Sequence, residues 1–277
     1  MFVVLCFQFA TAQKPVVDSL KRAYQLDKQD TTLVKLLDVK SVITFEETNT
    51  DSGMISARQG LAISRRIRYP YGQVRSLDNI AHYLNVMGDL PGALRVCFEV
   101  LPKAISISDA YSIGQCYNTL GSAYNTLNDL KKSNAYYHQA VVYAYKSGII
   151  EQVFAEYDNL SRNFLERNLL DSALWYNNIA YKLATEKHLV AQIGFAIRNF
   201  GTIQFKKGNY RRAISFYNES LAQNPRNYHD LNSDDLLKKA EAYRMLNITD
   251  SSIYFGKQAF QSIWTITTAL RRPLRIS

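Results

Sequence analysis

The stretch Tyr117–Ala140, YNTLGSAYNTLNDLKKSNAYYHQA, sets tyrosines, asparagines and small residues at spacings too regular for a loop. Outward from Gly121, a small residue recurs every 40 positions at Ser41, Ala81, Ser161 and Gly201, with Ala240 following after 39. Two further series hold the same register: Gly53, Ala93, Ser133, Ala173, Ala213 and Ser252, then Gly60, Val100, Ala140, Ala180, Ser220 and Ala259. Small residues are needed where helix backbones approach closely, because larger side chains push the axes apart. Between the first two series lie Gly88 and Asp89, Asn128 and Asp129, Asn168, and Gly208 and Asn209. Glycine and asparagine tolerate the left-handed conformation that ends a helix. The next hydrophobe, Leu90, Leu130, Leu170 or Tyr210, then staples the following helix onto its predecessor. Each unit is predicted to be a helical hairpin, and the chain an all-α, right-handed solenoid of about six hairpins.

Composition agrees with this class. The 277-residue chain is 47% hydrophobic, enough for a substantial core, and its 12 glycines and 6 prolines are few for the many turns of an all-β protein. The formal charge is +9, but Arg271, Arg272 and Arg275 concentrate part of it at one end. No basic block carries interleaved aromatics, so nucleic acid is not an expected partner. Cys6, Cys97 and Cys116 form no metal-ligand pattern with the four histidines. Cys97 and Cys116 read as small core hydrophobes, with a bridge between neighbouring helices as the alternative. There is no G-x-S-x-G, HExxH or P-loop, so neither a catalytic residue nor a cofactor or metal is expected.

The amino terminus MFVVLCFQFATA is apolar, too short to span a bilayer, and ends in the A-x-A pattern of Ala10, Thr11 and Ala12. Residues 1–12 are therefore expected to be an export signal lacking its basic start, followed by a leader helix over 13–32, the repeat array over 33–268 and a basic tail over 269–277. The expected location is the periplasmic or other extracytoplasmic face of the membrane.

The L-G-x-x-Y of Leu120, Gly121 and Tyr124, followed by Ser133, Tyr137 and Ala140, resembles the tetratricopeptide repeat. Ala213, Tyr217, Ser220 and Pro225 match its second helix and closing proline. The outer units fit less well, with Lys40 and Lys239 at positions usually apolar. The segment KPVVDSLKRAYQLDKQDTTLVKLLD, Lys14–Asp38, is similar to the start of exported bacterial repeat arrays fused to two-component histidine kinases. That resemblance implies the sensory part of a signalling protein tethered through a downstream membrane segment. His82, His138, His188 and His229 lie in no phosphoacceptor context and there is no G-x-G, so the kinase itself is not in this sequence. A free-standing exported adaptor is the alternative.

A solenoid of helix pairs binds on its concave, first-helix face. Leu77, Ile80, Ala81 and Leu84 form the buried stripe of one such helix. Beside that stripe stand Asp78 and Asn79, and at the matching places Asn118, Asp158 and Asn159, and Arg198 and Asn199. Asparagine is a mediocre helix former, yet its amide donates to and accepts from an extended backbone at once. These residues, with His82, Ser122 and Arg162 on the same face, are expected to line a groove for a protein segment or extended peptide. Two readings stand: a peptide-binding ladder, or asparagines that are inherited from repeat duplication or bond only to each other across units. The aromatics Tyr136, Tyr137, Trp175, Tyr176, Phe216 and Tyr217 are expected to pack on second helices.

Overall fold

In the computed structural model the described residues are 30–46, 50–223 and 229–270. The segments expected to be the export signal, most of the leader and most of the basic tail lie outside them. Twelve α-helices occupy the described residues: α1 Thr31–Glu46, α2 Thr50–Arg66, α3 Pro70–Val86, α4 Leu90–Ser106, α5 Ala110–Thr126, α6 Leu130–Ser147, α7 Ile150–Glu166, α8 Leu170–Glu186, α9 Val190–Lys206, α10 Tyr210–Gln223, α11 His229–Met245 and α12 Thr249–Leu270. They make the six expected hairpins of an all-α solenoid fold. The chain forms two compact units, the first up to Glu156 and the second from Tyr157.

The turns are more regular than the glycines and asparagines alone predict. Positive φ occurs at Arg68, Gly88, Ser108, Asn128, Gly148, Asn168, His188 and Gly208, one residue in every 20, and again at Asn247. At most of these turns the next residue's amide reaches back to a carbonyl five positions earlier, as Asp89 to Leu84 (2.9 Å), Asp109 to Ala104 (3.0 Å), Asp129 to Tyr124 (2.9 Å) and Leu189 to Ala184 (2.9 Å). This satisfies a carbonyl that the helix end would leave orphaned. In the first unit an aspartate then starts the next helix. Asp89, Asp109 and Asp129 accept from the amides of Gly92, Ser112 and Lys132 at 3.0, 3.4 and 3.2 Å.

The small-residue series fall at helix crossings, and all their members are buried except Ser252. Ser41 and Ser161 each turn a hydroxyl onto a carbonyl of the second series, Gly53 at 3.1 Å and Ala173 at 3.0 Å. The residue 16 positions later explains which small residue is used. Gly121 and Gly201 face Tyr137 and Tyr217, and a Cβ on either glycine would lie 2.8 or 2.6 Å from a ring carbon. Where the matching residue is Cys97 or Asn177, the first-helix position carries Ala81 or Ser161 instead.

The aromatics pack within hairpins, as expected. Tyr136 of α6 stacks on Tyr124 and Tyr117 of α5 at 5.4 and 6.0 Å, and Tyr143 meets Tyr117 at 5.7 Å. Tyr176 stacks on Phe164 at 5.3 Å and Phe200 meets Phe216 at 5.7 Å. Trp175 is largely exposed, edge-on to Tyr176. Lys239, out of place in the repeat, lays its ammonium 3.6 Å above the Phe255 ring, which itself stacks on Tyr243. Cys97 and Cys116 are buried free thiols.

The glycine–tyrosine match makes a stability prediction. Gly121→Ala should cost about 1 to 3 kcal/mol by overpacking. The same change should cost markedly less in a Tyr137→Cys background, which copies the Ala81 and Cys97 pair. Equal costs in the two backgrounds, measured by denaturant unfolding, would show that the ring does not set the choice of glycine.

Candidate functional site

The residues expected to line a groove are mostly engaged by the protein itself. In the first unit Asn79 of α3 donates to Asp38 of α1 at 2.7 Å, and the same carboxylate receives Arg75 Nε and a terminal guanidinium nitrogen at 3.2 and 3.1 Å. The Arg75 guanidinium also lies 4.1 Å from the centre of the Tyr111 ring of α5, tying three successive first helices together. Asn118 of α5 donates to the buried Glu156 at 2.8 Å. Ser122 accepts from Asn85 Nδ2 at 3.0 Å. His82 is exposed, with its ring edge-on to Tyr83.

The second unit repeats the arrangement. Asn199 of α9 donates to Asp158 of α7 at 2.6 Å. Arg198 contacts Asp235 of α11 through Nε at 2.6 Å and Asp234 at 3.5 Å, while Ser220 of α10 donates to Asp235 at 2.7 Å. Burial pushes the Asp158 and Asp235 carboxyls above the usual carboxylate range, and their partners Arg162 with Asn199, and Arg198 with Ser220, pull them back.

The expectation of a row of free amides is therefore corrected at Asn79, Asn118 and Asn199. Each bonds to an acid on the adjoining first helix. Asp78, Arg198 and Asn199 are also no more than 8% exposed. The helical-wheel argument placed them beside the buried stripe but took no account of the neighbouring hairpin, which covers that flank. Asn159 stands half-buried on α7 and Arg162 is exposed on the same helix.

What remains open is a cleft of about 510 Å³ in the second unit. Its floor includes the Asp158–Asn199 and Arg198–Asp234 contacts, with Leu165 and Phe195 as apolar wall. Arg162 of α7 and Lys206 of α9 also line it, and neither makes an ion pair among the described residues. Lys206 was not legible as a site residue, since it sits at a helix end among other lysines. The one signal was its 40-residue offset from Glu166, which faces the same cleft. Among the described residues no cluster of histidine, cysteine and acidic side chains could hold a metal.

Comparison with known proteins matches two segments of the chain to one family model. Residues 114–143 and 199–227 match the model of the tetratricopeptide repeat. No curated protein matches. Among solved structures, the chain is similar to a Rap protein complexed with competence and sporulation factor, at 18% identity and a TM-score of 0.72, covering 94% of this chain and 74% of that one. NprR in complex with its cognate peptide NprX is 11% identical with a TM-score of 0.62, covering 94% and 76%. BtubC from P. vanneervenii is 19% identical with a TM-score of 0.61, covering 81% and 93%. At such identities the likeness concerns the fold.

Asp78 gives the first unit a measurable pH dependence. Burial pushes its carboxyl up to about 8 despite the opposing pull of Arg75; Asp38 and Asp109 raise it further, and the Cys116 thiol lies 3.8 Å away. Between about pH 4 and that value the folded chain holds a proton that the unfolded chain has lost, so stability falls as pH rises through this window. Asp78→Asn removes the titration and should raise the melting temperature more near pH 8 than near pH 5. A gain of the same size at both would contradict the buried acid.

Proposed function

We propose that the protein is a non-catalytic scaffold that binds an extended polypeptide, and that the cleft of the second unit is its ligand site. The observation that carries this reading is the pair Arg162 and Lys206, lining a cleft whose other polar groups are largely satisfied internally. Arg162 and Lys206, with Arg198 and Lys238, outnumber the lining acids Asp158, Glu166 and Asp234, and beside Leu165 and Phe195 they favour a segment with a carboxylate next to an apolar residue. The complex of NprR with its cognate peptide NprX supports the class of ligand.

Backbone-directed hydrogen bonds alone are worth only about 0.5 to 1.5 kcal/mol each, whereas those to charged groups reach about 1.5 to 3. Affinity should thus rest on the cations more than on Asn159. Changing Arg162 or Lys206 to alanine should weaken binding of a labelled acidic peptide by about tenfold. Asn159→Ala should have a smaller effect, and Asn199→Ala should lower the melting temperature by stranding Asp158. Fluorescence anisotropy against matched acidic and amidated peptides reads the first two effects. Equal affinity of the two peptides, or indifference to both cationic changes, would remove the cleft as a ligand site.

The cellular setting proposed is extracytoplasmic, as the sensory or regulatory part of a signal-transduction protein, on the strength of the Ala10–Ala12 pattern and the resemblance over Lys14–Asp38. The competing adaptor role uses the same cleft. A reporter enzyme active only after export, fused behind residue 32, separates an exported protein from a retained one.

A further inference from the structure

We infer that the first unit carries a second interaction surface, on the edge formed by its turns from second to first helices, and that this edge docks on an anionic lipid surface. Three successive turns build it: Ile67–Tyr69 between α2 and α3, Ile107–Asp109 between α4 and α5, and Gly148–Ile149 between α6 and α7. They are neighbours in space. Gln73 donates to the Ser64 carbonyl, Arg65 approaches Glu99 at 3.8 Å, and Gln152 donates to the Tyr111 carbonyl at 3.2 Å.

The edge combines cations with interfacial side chains. Arg65, Arg66, Arg68, Lys103 and Lys146 supply positive charge and outnumber the acids, which are Glu99, bridging Arg65 and Lys103, the capping Asp109 and Glu151 in the first turn of α7. Three large apolar side chains stand out beside them, Tyr71 at 43%, Ile105 at 51% and Tyr145 at 54% exposure. Tyrosine and isoleucine flanked by arginine and lysine fit the headgroup boundary, where rings and aliphatic tips enter the apolar layer and long cationic side chains stay among phosphates. A second copy of the same edge would bring cation against cation. A nucleic acid offers no apolar layer for Ile105. No described helix is long and apolar enough to cross a membrane. The surface is independent of the cleft and of what the cleft binds.

The test is co-sedimentation of the full chain with vesicles of phosphatidylcholine alone and of phosphatidylcholine mixed with phosphatidylglycerol. The chain should pellet with the mixed vesicles and be released by salt. Each cation near an anionic surface is worth roughly fivefold in affinity. The variant Arg65→Gln, Arg66→Gln, Arg68→Asn should therefore bind about a hundredfold more weakly; asparagine is chosen at 68 because it tolerates the positive φ there. The apolar residues 1–12 are common to both proteins, so the difference reads the edge. A tryptophan introduced as Tyr145→Trp should be quenched by brominated lipid beyond the quenching of the parent. Equal pelleting of parent and triple variant, equal pelleting on both vesicle types, or no added quenching at 145 would each overturn the assignment.

Discussion

Everything in this fold depends on a residue held in the left-handed region at intervals of 20, from Arg68 to Gly208. Such a residue reverses the chain at a fixed point, and the amide after it closes the end of the preceding helix. Most helices between these points are 17 residues long, about 25 Å. Because the interval does not vary, equivalent residues of successive hairpins meet in the same way. One extra residue in any helix would turn everything beyond it by about 100° and send small residues to the surface. That intolerance keeps three small-residue series in one register across six hairpins.

The turns also show where sequence reasoning stops. Gly88, Asn128, Asn168 and Gly208 announce their conformation, since only these residue types enter the left-handed region cheaply. Arg68, Ser108 and His188 do the same work with no such mark. They are held by context: the reverse hydrogen bond behind them and the apolar residue in front. The hairpin count and crossing positions were thus legible from Ser41 to Ala259, while the turns at Arg68, Ser108 and His188 were not. The identity of the small residues was legible only as smallness. Why glycine stands at 121 and 201 and serine at 161 becomes plain from the partner 16 residues on.

The candidate site was harder to read for a related reason. A helical wheel describes one helix, and it put Asn79, Asn118 and Asn199 on the correct face. Their fate depends on a second helix about 40 residues away, which carries Asp38, Glu156 or Asp158. Those acids were the available signal, since an amide and a carboxylate separated by 38 or 41 residues become neighbours once the period is known. A buried carboxylate left without a donor costs more than an exposed amide contributes in binding. The clasps therefore win the amides.

This competition limits how the scaffold can bind. When the polar floor of a cleft satisfies itself, it offers rigidity rather than free hydrogen-bonding groups, and its geometry is fixed before a ligand arrives. On the proposed reading, affinity comes from side chains outside ion pairs, in the second unit Arg162 and Lys206, and from the apolar wall at Leu165 and Phe195. Exposed cations act through a screened field, so recognition of this kind depends strongly on salt and tolerates variation in the ligand backbone. The clasps also couple neighbouring hairpins. A ligand that drew Asn199 away from Asp158 would leave a buried carboxyl unsatisfied, loosening α7 from α9. Binding through the cations leaves that contact intact, whereas binding through the amides spends part of the free energy that holds the repeats together.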